Sequence, residues 1–302
     1  MRIFVTGATG FIGVPVVKEL IAAGHKVLVM ARSDEGAKSL KAMGADVHRG
    51  SLEDLESLKD GAAAADAVIH LAFIHDFSKF QENCERDKSA IETLGSVLAG
   101  SKRPLIVTAG TGGLAPGQVA TEDMNVPPNF PYLRVSEQTA IALKNVNASI
   151  MRLPQVHNTV KQGLVSYLIA VARDKGLSAF VGEGRNRWPA GHVLDVARLY
   201  RLALEKGEPG AKYHAVGEEG VSMQDIGEVI GRKLEVPVKS LSPEEAQAHF
   251  GWLAMFAGLD MPASSAETRK RLGWNPTGPG LIADLEQMRY HETGTDAVAR
   301  RA

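Results

Sequence analysis

The stretch VTGATGFIG, residues 5–13, restricts what this chain can fold into more than any other part of it. Gly7, Gly10 and Gly13 are spaced G-x-x-G-x-x-G, behind the apolar run RIFVTG (2–7) and ahead of the amphipathic IGVPVVKELIAAG (12–24). A glycine triplet alone is a weak signal. Between a buried strand and a helix it is the arrangement that a dinucleotide pyrophosphate requires. Gly7 permits the tight turn, Gly10 lets backbone approach the phosphates, and Gly13 lets the helix pack closely on the sheet. Free backbone N–H groups and the positive end of the helix then face the negative charge.

The first half of the chain repeats this alternation. KVLVMAR (26–32), ADVHRG (45–50), DAVIHLAF (66–73), RPLIVTAG (103–110) and ASIMRLP (148–154) read as strands. Between them GAKSLKAMG (36–44), LEDLESLKDGAAAA (52–65), QENCERDKSAIETLGSVLAGS (81–101) and a segment from about 132 to 144 read as helices. The expected fold is α/β, a doubly wound parallel sheet of Rossmann type with helices on both faces. Beyond Pro154 the loops lengthen and become more polar, with helices expected at 164–176, 195–207 and 222–234. Residues 1–155, with 191–207 returning to them, form the expected dinucleotide-binding part; residues 156–302 form a smaller, interleaved substrate lobe.

Composition removes several function classes. Lys and Arg total 34 against 35 Asp and Glu, a net charge of −1, so a nucleic-acid or membrane-surface partner is not expected. One cysteine, Cys84, permits neither an internal disulfide nor a thiolate metal site and suits a reducing compartment. MRIFVTGATG leads straight into a strand with no apolar leader, and no apolar run approaches 18 residues. The histidines are not at metal-ligand spacing, so no metal is expected. A soluble cytoplasmic protein acting on a small molecule is the expectation.

The second strand ends in Arg32 and Ser33, where an acidic residue would bind a ribose 2′-hydroxyl. A guanidinium fork there suits a 2′-phosphate instead, with Ser33 as second donor, so NADP (NADPH) is the expected cofactor.

Together with RGSLEDLESL (49–58), ADAVIHLA (65–72), GHVLDVARLYRLALEKG (191–207) and RKRLGWNP (269–276), the glycine turn resembles the short-chain dehydrogenase/reductase superfamily. The match is to its extended or atypical branch, the NAD(P)-dependent epimerase/dehydratase-like proteins. The resemblance implies cofactor contacts from Gly7, Thr9, Gly10, Phe11, Ile12 and Gly13, and from Arg32 and Ser33. It adds Ser51 and Leu52 near the adenine, Leu71, Ala72 and Phe73 at the end of the fourth strand, and Pro154. It also implies a homodimer through two long helices.

The catalytic positions depart from the family pattern. Tyr132 stands where the acid/base tyrosine belongs, but Ser136 stands where Tyr-x-x-x-Lys requires lysine. Thr108 and Thr111 flank the place of the catalytic hydroxyl, and Asp87 takes that of a helix asparagine. The lysine normally lowers the tyrosine pKa and hydrogen-bonds the nicotinamide ribose. On a continuous helix Ser136 lies one turn from Tyr132 and can serve the ribose, but it brings no charge. Arg134, two residues from Tyr132, would face elsewhere on such a helix. A tyrosine near its ~10 reference value stays protonated at neutral pH, which suits proton donation rather than abstraction.

The expected activity is therefore NADPH-dependent hydride transfer to a carbonyl-like carbon, with Tyr132 donating the proton and Thr108 or Thr111 polarising the oxygen. Two alternatives stand beside it: an epimerase or isomerase acting on a sugar nucleotide or steroid-like substrate, and a non-catalytic NADP-binding regulator. His70 reads as a satisfied core histidine, and His192 and Asp195 as structural groups. The aromatic stripe in 248–261 reads as lobe core, and GRNRWPAGH (184–192) as a substrate loop.

Overall fold

The computed structural model describes residues 1–127 and 134–288. The first half comprises β1 (Arg2–Thr6), α1 (Gly13–Ala22), β2 (Lys26–Ala31), α2 (Asp34–Ala42), β3 (Asp46–Arg49) and α3 (Leu55–Ala63). It continues with β4 (Ala67–His70), α4 (Phe80–Leu98), β5 (Pro104–Gly110), α5 (Ser136–Ala142) and β6 (Asn147–Leu153). Then come β7 (Gln155–His157), α6 (Val165–Lys175), β8 (Ser178–Val181), β9 (Arg187–His192), α7 (Val193–Lys206) and β10 (Lys212–His214). The chain closes with β11 (Glu218–Ser222), α8 (Met223–Leu234), β12 (Val238–Leu241), α9 (Pro243–Phe250), α10 (Ala254–Ala257), α11 (Ala266–Leu272) and α12 (Leu281–Gln287).

Seven parallel strands form the main sheet in the order β10-β6-β5-β4-β1-β2-β3. The apolar strands follow from burial on both faces. In β1, Ile3 and Val5 enter the core beneath α1 and α7, while Phe4 points into the core beneath α3 and α4. β4 and β5 divide in the same way, with Ile69 and Ile106 on one side and Val68, Leu105 and Val107 on the other. The sheet is thus doubly wound, and its order reverses between β1 and β4. A crevice opens at such a reversal, beyond the carboxyl ends of the strands.

After β6 the chain builds a smaller lobe around Trp188, Val165, Ile226 and Leu281, and returns to the main sheet through α7 and β10. The return is anchored at Asp195, whose carboxylate accepts the N–H groups of Thr277 (3.1 Å) and Gly278 (2.7 Å). Trp274 donates its indole N–H to the Asp195 carbonyl at 3.0 Å. His192 caps the start of α7, so both residues are structural, as their positions in the sequence suggested.

Residues 184–192 depart from the expected substrate loop. Residues 187–192 are β9, with Trp188 fully buried and donating to the Phe256 carbonyl, and Arg187 paired with Asp260 at 2.9 Å. Pro189 and Gly191, residues that usually punctuate strands, concealed it. The aromatic stripe does bury Phe250, Leu253, Ala257 and Met261, whereas Trp252 faces outward.

Candidate active site at the strand ends

At the glycine turn Gly7 adopts φ +71°, and a Cβ there would lie 2.7 Å from the Ala72 nitrogen. A side chain is therefore excluded twice, by conformation and by the close passage of the β4 exit. At Gly13 a Cβ would fall 2.1 Å from the Gly7 carbonyl oxygen, so α1 begins hard against the turn. The turn is held by Gly10 N–H to the Gly7 carbonyl (3.0 Å) and Val14 N–H to the Gly10 carbonyl (3.1 Å). Among the described residues the N–H groups of Phe11 and Ile12 meet no protein acceptor. A cradle empty of side chains and carrying free donors fits a pyrophosphate.

The remaining expected cofactor residues line the same edge. Leu71, Ala72, Phe73 and Pro154 are partly open where β4 and β6 end, and Thr9 lies exposed against α2, where it would touch a Cβ at Gly36. Arg32 is exposed, with no ion-pair partner among the described residues. The Ser33 oxygen caps α2 by accepting from Gly36 N–H at 3.1 Å, which leaves its hydroxyl proton to donate. Asp34, the nearest carboxylate in sequence, is paired with Arg49 at 3.1 Å. Leu52 is buried, while Ser51 is half-exposed and accepts from Glu53 N–H at 3.3 Å.

On the β4–β5 side a chain of hydrogen bonds runs from the turn into α5. Ala72 N–H donates to Thr6 Oγ1 (3.3 Å), Thr6 Oγ1 meets His70 Nδ1 (2.9 Å), and His70 Nε2 meets Asp87 Oδ1 (3.0 Å). Ser136 Oγ donates to Asp87 Oδ2, and Arg134 Nε donates to Ser136 Oγ at 2.6 Å. One assignment satisfies every link: Thr6 donates to His70, which carries its ring proton on Nε2. Thr6, His70, Asp87 and Ser136 have no exposed surface. Burial alone would raise the Asp87 pKa, but the Arg134 charge and the bonds from His70 and Ser136 outweigh it and hold the carboxyl at about 2.

Tyr132 lies outside the described residues. The helix expected from about 132 starts at Ser136, so Arg134 precedes it and is free to turn inward. Its guanidinium lies 3.5 Å from Asp87 and 4.0 Å above the Phe73 ring. Ser136 is fully buried and bonded on both sides, so the expected bond to a ribose is replaced by one to Asp87. Thr108 is likewise internal: it donates to the His70 carbonyl (2.7 Å) and meets the Tyr200 hydroxyl (2.8 Å). Burial pushes the Tyr200 phenol well above its ordinary pKa, and the Thr108 bond only partly offsets this. Thr111 directly follows β5 and is also buried; it is held by its N–H and hydroxyl on the Leu153 carbonyl at 3.0 and 3.3 Å.

Sequence reasoning missed a second buried cluster. Arg152 pairs with both Glu137 oxygens at 2.8 and 2.5 Å and reaches His214 Nε2 at 3.0 Å. It also donates to the carbonyls of Glu122 and Met124. Burial first, then the Arg152 charge, lowers His214 to about 4. That ring accepts at Nε2 and donates from Nδ1 to the Ser264 carbonyl at 2.7 Å. A lone arginine in the strand NASIMRL was the available signal, but no spacing rule links it to Glu137.

A glycine turn at a β1–β4 reversal, with a polar site at the neighbouring strand ends, defines an NAD(P)-dependent oxidoreductase-type enzyme. The NAD-dependent epimerase/dehydratase family model matches residues 3–216, and the chain belongs to that family. It is 48% identical over 295 residues to an uncharacterized protein of Schizosaccharomyces pombe, covering 96% of this chain and 100% of that one. An uncharacterized protein of Saccharomyces cerevisiae is 46% identical over 94% of this chain and 98% of its own length. A ketoreductase of Stigmatella aurantiaca is 26% identical over 87% of this chain and 84% of its own. Among solved structures, a dTDP-glucose 4,6-dehydratase of Streptomyces venezuelae with NAD bound superposes with TM-score 0.77 at 19% identity, covering 99% and 98% of the two chains. A human epimerase family protein with NADPH gives TM-score 0.70 at 19% identity, covering 95% and 99%. At such identities these structures share the fold.

Proposed function

We propose that the chain is an NADPH-dependent reductase of a small carbonyl compound. The observation that carries this reading is Arg32. It stands exposed at the end of β2, beside the glycine turn, with no ion-pair partner among the described residues, while Arg49 engages the adjacent Asp34. A 2′-phosphate placed there meets a guanidinium and the Ser33 hydroxyl, and the carboxylate nearest in sequence, Asp34, is engaged by Arg49. The name of the Stigmatella relative, a ketoreductase, and the NADPH in the human structure support the same reading.

Bound NADPH supplies the hydride. Tyr132 gives the proton to the developing alkoxide, and of the two threonines Thr111 is the one assigned to the substrate oxygen. Reduction is favoured over alcohol oxidation because no lysine follows Tyr132 at position 136 and the cation present, Arg134, is already balanced by Asp87. The phenol then stays protonated near neutrality, as a donor requires. In the same reading residues 1–155, with 191–207, hold the dinucleotide, and the rest of the chain selects the substrate.

The test is calorimetric titration with NADPH and NADH, followed by turnover on a panel of ketones and aldehydes. Arg32→Ala is expected to weaken NADPH roughly 10- to 100-fold and leave NADH nearly unchanged. Equal affinity of the wild type for the two cofactors would remove the NADP assignment. NADPH binding without turnover across the panel would turn the reading toward a binding protein. We also propose a cytoplasmic homodimer in contact through α4 and α5, the latter exposing Ile141. A monomer in sedimentation at micromolar concentration would remove the dimer, and fluorescence microscopy of a tagged chain outside the cytoplasm would remove the location.

A further inference from the structure

We propose that Arg134 binds the second, nicotinamide-bearing half of the dinucleotide, filling with a guanidinium the place that Ser136 leaves without a cation. The inference rests on the dinucleotide reading above. Arg32 lies on the β2 side of the β1–β4 reversal, so a dinucleotide crossing the glycine turn extends its other half over β4 and β5. Phe73 lies on that side, directly after the Leu71–Ala72 backbone that closes against Gly7. The Arg134 guanidinium lies over the Phe73 ring, 4.0 Å from its centroid, just past the carboxyl end of β4.

The group is also prepared for a ligand. Ser136 receives Nε and Asp87 approaches Nη2, which fixes the plane of the guanidinium from behind. Nη1 makes no hydrogen bond among the described residues and 21% of the side chain stays open, while Nη2 is buried on the Asp87 side. Held in that plane, Nη1 offers its two N–H groups to a pair of neighbouring oxygens such as vicinal ribose hydroxyls. Because Asp87 already balances the charge, the site suits a neutral hydroxyl pair rather than a further anion.

Three variants separate this role from simple neutralisation of Asp87. Arg134→Gln alone leaves a buried carboxylate unpaired and is expected to lower both thermal stability and NADPH affinity. Asp87→Asn/Arg134→Gln restores a neutral pair, so its melting temperature should return close to wild type. Its NADPH affinity should nevertheless stay roughly tenfold weaker, while 2′,5′-ADP, which lacks the second half, binds as to wild type. Recovery of NADPH affinity together with stability, or an equal loss for 2′,5′-ADP, overturns the proposal. Should the double variant not fold, Arg134→Lys keeps the charge without the planar guanidinium and is expected to show the same selective loss; unchanged NADPH binding by it counts against the proposal. NADH and ADP are titrated in parallel. A wild type that prefers NADH refutes the Arg32 assignment alone, and the NADH–ADP comparison then decides Arg134. A wild type that binds neither dinucleotide refutes both.

Discussion

At the scale of single residues, Asp87 is a fully buried carboxylate that is nevertheless held ionised. Desolvation opposes its charge, and Arg134, His70 and Ser136 together reverse that opposition and bring the carboxyl to about 2. An unfolded aspartate titrates near ~3.9. The folded state therefore gains from this group fully above roughly pH 4, and loses the gain as pH falls through about 2. Asp87→Asn should lower unfolding free energy at pH 7 by about 2 kcal/mol, a difference that shrinks as pH approaches 2. Urea titrations of both proteins across that range would measure it; a difference independent of pH would mean that Asp87 is not held ionised. The same residues mark where the sequence stopped being readable. Ser136 and Tyr132 were recognisable from their positions in a pattern, and His70 as a core histidine from its apolar neighbours. Arg134 was set aside as a substitute for the lysine because residues two apart on a helix diverge, and the continuous helix that this argument assumed does not reach back to Arg134, since α5 begins at Ser136. Helix starts are decided by tertiary contacts that local propensity does not contain.

At the scale of elements, α5 is only seven residues long, too short to be stable by itself, yet it carries the serine that holds Arg134. Its fixed point is the next residue, Glu137, clamped by Arg152 of β6 at 2.8 and 2.5 Å. Removing one partner strands the other charge in the core, so Glu137→Leu should destabilise by about 3–5 kcal/mol. Glu137→Leu/Arg152→Met should recover most of that loss, because a buried pair is often replaced by apolar groups at little net cost. Hydrogen exchange in α5 should rise in the single variant and fall back in the double; protection equal to wild type in both would show that other contacts hold the helix. The elements themselves were legible wherever the pattern was long: the first five strands and the first four helices fall within a few residues of expectation. The dinucleotide turn was legible too, because Gly7 and Gly13 are required by local geometry. β9 was not, since its pairing with β7 and β11 comes from distant parts of the chain.

At the scale of the whole molecule, the chain leaves the main sheet after β6, builds the second core, and returns through α7 and β10 before completing the lobe. α7 packs on α1 in the first core, and the Asp195 carboxylate at its start holds residues 277 and 278. The two cores therefore share an element that neither can release separately. Unfolding should consequently be one cooperative transition rather than two, even in a chain of 302 residues. Three tryptophans report it from different places: Trp188 in the lobe, Trp274 against α7, and Trp252 at the surface. Fluorescence and far-ultraviolet dichroism should give coincident urea transitions, and NADPH at 100 times its Kd should raise the unfolding free energy by about 2.7 kcal/mol. Asp195→Ala is the variant expected to separate the curves, since it frees the Thr277 and Gly278 N–H groups and loosens the join while leaving both cores intact. Resolved transitions in the wild type would show that the return segment does not couple the two cores, and coincident ones in Asp195→Ala would place the coupling elsewhere along α7.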